Sequence, residues 1–359
     1  MKLLVDIIHP ANVHYFKNFI FEMQKDGHEI IITSRDKDVS LKLMDAYHLK
    51  YRNYGKGAIG KGAIGKMLYL IIATFKFILH FFKNKPDLSL SFGSAPLAFT
   101  SWLFRVPHIS FDDTEHAKLN KKLYVPITPL VISPSCFYDD LGKNHFSFRG
   151  YMELFYLHKK IFNPDIKVLK DLNIAEGKTF TLVRFVSWEA FHDIGQKGLN
   201  LQERIDLVNE AKKYGDVFIS SEGELPKELK EYEIKISPEK LHDVLYFAKL
   251  YIGEGGTTAS ECAMLGTPSI YINTLPLMGY LKDAQDYELL YHLSDLKDIK
   301  AKMGSVYKRD DEFYLEQNKE MLKGVINPTS MLIWLVKNYP SSKKMLLDNP
   351  DYQEKFKNA

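Results

Sequence analysis

The sequence predicts an α/β protein built from two doubly wound, parallel-sheet halves. Three observations point there. Short apolar runs of strand length alternate with segments of helical apolar spacing, the pattern of successive βαβ units. The alternation occurs twice, on either side of Asn163-Pro164-Asp165, and 359 residues is enough chain for two cores. Residues 250–272 read as strand, Gly-rich turn, helix, turn and strand.

Taken in order, residues 3–8 predict a buried first strand broken only by Asp6. Residues 13–26 carry helical spacing at Phe16, Phe19, Ile20 and Met23, and Gly27 ends that helix. Strands are expected at 29–33, 88–92, 108–111 and 130–133. In the second half, strands are expected at 180–185, 217–220, 250–252 and 269–272, with helices at 201–214 and 238–247. This places an N-terminal Rossmann-like domain at 1–155 and a C-terminal one at 156–329. The helical stretch from about 330 to 359, with Met331, Leu332, Trp334 and Leu335, is expected to pack back on the first.

Within the first domain lies a local repeat, Lys56-Gly57-Ala58-Ile59-Gly60 followed by Lys61-Gly62-Ala63-Ile64-Gly65-Lys66. Its four glycines predict a mobile cationic loop. Residues 67–82 then run almost wholly apolar and fall short of the ~20 residues that span a bilayer. Two readings stand: a buried Rossmann helix, or a helix on a membrane surface flanked by Lys56, Lys61, Lys66, Lys83 and Lys85. The aromatic density at Tyr69, Phe75, Phe77, Phe81 and Phe82 favours membrane contact through residues 56–85.

Composition excludes several classes. A net charge of +3 gives no strong field for nucleic acid. Cys136 and Cys262 stand far apart without CxxC context, which argues against zinc and fits a reducing cytoplasm. The N-terminus lacks the apolar core and cleavage site of a signal peptide. No Gly-x-Ser-x-Gly, HExxH or Walker A sequence occurs.

Four constellations carry chemistry. The turn at Gly253-Glu254-Gly255-Gly256-Thr257-Thr258 opens a helix, and helix N-terminal amides suit a diphosphate. Glu261 lies two turns in, where a carboxylate can accept from a sugar hydroxyl pair. The first βα turn, His9-Pro10-Ala11-Asn12-Val13-His14, is not a GxGxxG. It puts two imidazoles where α/β proteins bind ligands, and His14, read as the residue at the helix N-terminus, is the first candidate base. Asp112-Asp113-Thr114-Glu115-His116 follows a strand end. Asp112, Glu115 and His116 are read as catalytic candidates, with Asp113 or Thr114 as a helix cap. Arg184 ends the first strand of the second half, next to Ser187, Trp188, His192 and Asp193, and suits diphosphate neutralisation. Ser220 to Gly223 ends the following strand and is read as contributing to the same cleft, with Glu224 read as an ordinary polar loop residue.

Together the residues resemble GT-B glycosyltransferases. The segment from Gly255 to Pro268 is similar to the donor-nucleotide motif of the lipid-II-forming N-acetylglucosaminyltransferase and of UDP-N-acetylglucosamine 2-epimerase. An uncharacterised family of GT-B-like proteins of bacteria and archaea resembles the chain more fully. The matches are His9-Pro10-x-x-Val13-His14-x-Phe16, Asp113-Thr114-Glu115-His116-Ala117, Gly150-Tyr151-x-Glu153, Arg184 with His192-Asp193, and the loop from Glu254 to Pro268. The lipid-II enzyme has a Gly-rich first loop, which Pro10-Ala11-Asn12-Val13 replaces here.

The resemblance implies a GT-B architecture, two Rossmann-like domains facing across a cleft, and a metal-independent transferase without a cofactor. It would move sugar from a nucleotide-sugar, UDP-linked by preference, to a cell-surface polysaccharide or lipid-linked acceptor, in the cytoplasm or on the inner face of the membrane. Donor contacts would be Arg184, Ser187, Glu254, Gly255, Gly256, Thr257, Thr258 and Glu261. The catalytic set would be His14, Glu115, Asp112 and His116, with His9 and Asn12 on the acceptor side. The alternatives are a UDP-sugar 2-epimerase on the same fold, and a non-catalytic binding protein of a polysaccharide assembly.

Overall fold

A computed structural model describes residues 1–37, 39–56, 62–175, 177–186, 198–221 and 223–357. The chain divides into two compact units, Met1–His158 with Gly324–Ala359, and Lys159–Lys323.

The first unit runs β1 (Lys2–Ile7), α1 (Pro10–Lys25), β2 (Glu29–Asp36), α2 (Ser40–Ala46), β3 (Tyr51–Lys56), α3 (Gly62–Asn84), β4 (Leu88–Phe92), α4 (Ala95–Phe104), β5 (His108–Phe111), α5 (Lys118–Tyr124), β6 (Leu130–Pro134), β7 (His145–Phe148) and α6 (Leu154–Leu157). The second runs α7 (Lys167–Asp171), β8 (Phe180–Phe185), α8 (Leu201–Ala211), β9 (Asp216–Ser221), α9 (Leu241–Phe247), β10 (Leu250–Gly253), α10 (Gly256–Leu265), β11 (Ser269–Ile272), α11 (Gly279–Asp286), β12 (Leu290–Leu293), α12 (Leu296–Lys308) and α13 (Asp311–Met321). The chain then returns to the first unit with α14 (Pro328–Lys337) and α15 (Ser341–Asp348).

Both sheets are wholly parallel, ordered β3-β2-β1-β4-β5-β6-β7 and β12-β11-β10-β8-β9. Central strands buried on both faces are mainly apolar, and Leu3, Leu4, Val5 and Ile7 of β1 are fully buried, as are Leu250, Tyr251 and Ile252 of β10. Strand order reverses between β1 and β4 and again between β8 and β10, and the carboxyl ends at such switch points are where open α/β sheets bind ligands.

Three strands escape the apolar-run reading: β3, β7 and β12. All three are sheet edges, where one side has no neighbour and the sequence keeps polar residues. Helix α1 starts at Pro10, three residues earlier than the spacing predicts. Pro10 pre-sets the first helical φ, and His9 caps the helix with Nδ1 accepting from the Ala11 amide at 3.3 Å. Helix α3 takes in residues 62–66 of the expected loop, while residues 57–61 lie outside the described ones.

Asp6, the polar break in β1, is buried at the first switch point. Its Oδ1 accepts from Thr33 Oγ1 at 2.8 Å and its Oδ2 from Ser94 Oγ at 2.6 Å, with Arg35 3.8 Å away. One carboxylate thus joins β1, β2 and the turn after β4. The tail closes the other side of the unit. Met331, Leu332, Leu335 and Val336 of α14 are buried, Thr329 Oγ1 donates to the Phe155 carbonyl at 2.9 Å, and Arg149 pairs with Asp351 and Glu354.

Replacing Asp6 with Ala leaves two buried hydroxyls and the Arg35 guanidinium without their acceptor. The expected cost is about 3 kcal/mol, read as a lower urea midpoint at unchanged slope.

Candidate functional site

The second unit gathers its candidate residues at the switch point between β8 and β10. Arg184 and Gly253 are register partners on these strands, and the Glu254 amide donates to the Arg184 carbonyl at 3.2 Å. The chain passes so close here that only glycine fits at 253: a Cβ would lie 2.3 Å from the Tyr251 hydroxyl and 2.9 Å from the Arg184 carbonyl. Gly255 is the N-cap of α10, and the first intrahelical bond is Ala259 N to Gly255 O at 3.1 Å. The amides of Gly256, Thr257 and Thr258 therefore precede the helical ladder, at the positive end of the dipole. No acidic residue stands in that first turn to offset it. Arg184 Nε lies 3.9 Å from the Cβ position of Gly255, and its Nη1 donates to Ser220 Oγ at 2.8 Å. The structure thus brings Arg184, Ser220 and the Gly255-Gly256-Thr257 turn together.

Glu261 lies inside α10, 4% exposed, and its Oε1 is hydrogen-bonded at 2.9 Å to Nε2 of His242, equally buried on α9. His242 escapes sequence reading because only the packing of α9 on α10 gives it a role. The other end of α10 is also pinned. Gly266 turns left-handed at φ 81°, Thr267 N bonds Cys262 O at 2.9 Å, and Asn318 Nδ2 caps the Ala263 and Met264 carbonyls at 2.6 and 3.1 Å.

Glu254, expected at the donor, has a structural task. Its buried carboxylate accepts from Val186 N at 3.0 Å and Leu199 N at 3.2 Å, with Arg204 3.7 Å away. It holds the Val186 and Leu199 amides on one carboxylate, and the candidates Ser187, Trp188, His192 and Asp193 lie outside the described residues. Beside this clamp a pocket of about 420 Å³ opens at the carboxyl edge, lined by Leu199, Asn200, Glu203, Asn273, Thr274 and Ser294.

In the first unit the assignments are redistributed. His14 is the fifth residue of α1, not its first, and is 7% exposed. Its Nδ1 lies 3.3 Å from the Tyr47 hydroxyl, and its ring sits against those of Tyr47 and Tyr156. Lys17 Nζ donates to the same hydroxyl at 3.0 Å, giving an imidazole–phenol–ammonium chain of which the sequence shows only the first member. Asn12, expected on the acceptor side, is buried and closes the turn, its Oδ1 accepting from Ile8 N at 3.2 Å. His9 serves as the α1 cap.

Asp112 is likewise a turn former. Its Oδ1 accepts from Thr114 N at 2.8 Å and its Oδ2 from the buried Tyr124 hydroxyl. No helix begins at Asp113 or Thr114; α5 starts at Lys118 without a side-chain cap. Glu115 is buried and His116 exposed. Lys121, buried beneath the turn, donates to the Thr114 and Glu115 carbonyls at 3.0 Å each and pairs with Asp139. Asp113 stands out electrostatically. Although Asp113 is only half-buried by surface exposure, loss of surrounding water, then the neighbouring Asp112 and Glu115, outweigh the bond from Thr114 Oγ1 and push its carboxyl up to about 7. Among the described residues, no three His, Cys, Asp or Glu side chains gather as a metal site.

The chain matches, over residues 1–341, the family described as Protein of unknown function (DUF354). It is 25% identical to the uncharacterized protein MJ0665 of Methanocaldococcus jannaschii, over 94% of this chain and 98% of that one. Its structure is similar to the UDP-GlcNAc 2-epimerase of Neisseria meningitidis bound to UDP-GlcNAc, with TM-score 0.61, 12% identity, and 97% and 99% of the two chains covered. It is equally similar to the spinosyn rhamnosyltransferase SpnG complexed with thymidine diphosphate, with TM-score 0.61, 13% identity, and 94% and 100% covered. At such identities the likeness shows the fold, which is GT-B.

The Asp113 carboxyl has a definite pH signature. Unfolded, it releases its proton near the ordinary value of about 3.9; folded, it holds it to about 7. The cost of ionising it is absent below pH 4, grows between, and is complete above 7. Urea titrations across this range should show Asp113→Asn gaining stability over the parent as pH rises, then levelling off. A gap independent of pH contradicts the assignment.

Proposed function

The chain belongs to the DUF354 family of proteins of unknown function, and from that premise we propose that it is a glycosyltransferase using a nucleoside-diphosphate sugar as donor. One observation carries the reading: Arg184 stands beside the α10 N-terminus at the switch point of the second sheet, and the same helix carries the His242–Glu261 pair further along. The amides of Gly256, Thr257 and Thr258 receive the diphosphate. Arg184 adds the charge that stabilises it as a leaving group, so no step calls for a metal. His242 orients Glu261 as a hydrogen-bond acceptor, the form that receives the two hydroxyls of a ribose. Both structural relatives were solved with a pyrimidine nucleoside diphosphate or its sugar, which favours that donor class, UDP first.

The first unit takes the acceptor, a polysaccharide or lipid-linked glycan. Transfer needs a base for the acceptor hydroxyl. His14 is the first candidate, its ring positioned by Tyr47 and Tyr156. Asp113 joins it because a carboxyl titrating near neutrality suits proton transfer there. Glu115 remains in the same turn, while Asp112 is committed to Tyr124 and Thr114.

Calorimetry with UDP, GDP, CMP and dTDP and their sugars tests the donor half. We expect one pyrimidine nucleoside diphosphate to bind, with Arg184→Ala and Glu261→Gln each weakening it about tenfold or more. A Glu261→Gln protein that binds as tightly as the parent would refute the ribose contact. NMR of UDP-N-acetylglucosamine with the protein alone tests the chemistry: appearance of the C2 epimer without an acceptor would replace the transferase reading by the epimerase one.

A further inference from the structure

We propose that the outer surface of the helical layer formed by α3, α4 and α5 docks on an anionic lipid bilayer. The three helices follow connections that step the same way along the sheet, so they lie on one side of it, α3 against α4 and α4 against α5. The inner face of α3 belongs to the core, with Phe77 and Phe81 buried against Leu4 and Leu97. Its outer face is apolar as well. Leu68, Ile71, Phe75, Leu79 and Phe82 form a helical stripe in water, with Phe75 60% and Phe82 68% exposed. The stripe continues onto α4 through Phe99, Trp102 (56% exposed) and Leu103, and onto α5 through Leu119 and Leu123. A patch of this extent on a folded unit marks an interaction surface.

Charge selects the occupant. Aspartate and glutamate make up 45 of the 359 residues, yet residues 62–86, 95–107 and 117–127 contain neither. Among the described residues, the exposed charges there are Lys76, Lys83, Lys85, Arg105, Lys118 and Lys122. A second copy of the chain meeting this surface about a two-fold axis would bring cations onto cations. An anionic headgroup layer instead complements them, while aromatic and aliphatic side chains enter the acyl boundary. A groove of about 540 Å³ continues the patch at the amino edge of the sheet. Arg105 lies among its apolar lining of Trp102, Leu103, Val106, Ile127 and Pro129, a position suited to a headgroup phosphate. Helix α3 is long and apolar enough to cross a membrane, but its core face holds it on the sheet. It therefore lies along the surface instead of spanning.

The donor reading is no part of this inference, so the two stand or fall separately. Sedimentation of the full chain with phosphatidylcholine vesicles, with and without phosphatidylglycerol, tests it. We expect co-sedimentation with the anionic vesicles only, weakened by salt. The pair Phe75→Ser with Phe82→Ser, and separately Lys83→Glu with Lys122→Glu, should each reduce it at least tenfold with unchanged thermal melts, because all four side chains are exposed. Absence of binding to anionic vesicles, or binding that survives both pairs, would overturn the proposal. So would a dimer in light scattering that the Phe pair dissolves while vesicles stay unbound.

Discussion

Glu261 sits in a helix whose last eight residues, Thr258 to Leu265, are all buried. A carboxylate there must be partnered, because an isolated charge away from water is prohibitively costly. His242 meets that need from α9, and the demand spreads outward. Helices α9 and α10 must pack at the register that brings Nε2 and Oε1 within 2.9 Å. Thr267 Oγ1 then ties the turn after α10 to the Leu245 carbonyl on α9, and Asn318 brings α13 onto the last carbonyls of α10. With its far end held this way, α10 has one placement, and its first-turn amides are aimed beside Arg184.

The two units use the same topological device for opposite electrostatics. At the switch point of the second sheet the chain presents amides, a helix N-terminus and a guanidinium, all suited to negative charge. At the carboxyl edge of the first sheet it gathers carboxylates, Asp6 at the switch point and Asp112, Asp113 and Glu115 in the turn after β5. The balance of 48 basic against 45 acidic residues hides this separation, as it hides the acid-free layer of α3 to α5.

What the sequence reveals follows from how local each signal is. Strands β4, β5, β8 and β11 are readable to the residue, because short segments rich in apolar and β-branched residues stand there between Gly, Pro, Asp or Asn turn residues. The α10 turn is readable because glycines, threonines and Gly266 act within one turn of their own position. A side chain's surroundings are not legible where its partner is distant in sequence. His242 and Glu261 are 19 residues apart, and nothing near His242 marks it. Glu254 looks like a ligand contact until the Val186 and Leu199 amides are found on it. Asp112 and Asn12 are short polar side chains at strand ends, positions that serve turns and catalysis equally well, and only their hydrogen bonds decide.

The division of the chain also sets an order of events. The second unit is inserted between two parts of the first, and α14 covers α1, a helix more than three hundred residues upstream. At ribosomal rates of about 5–20 residues per second, the apolar side of α1 waits roughly 15–60 seconds for that cover. During that interval the second unit has all of its own sequence and can complete its core. The first unit, though begun at once, is finished last, and a nascent chain stalled before residue 328 carries one complete sheet domain and one with an open flank.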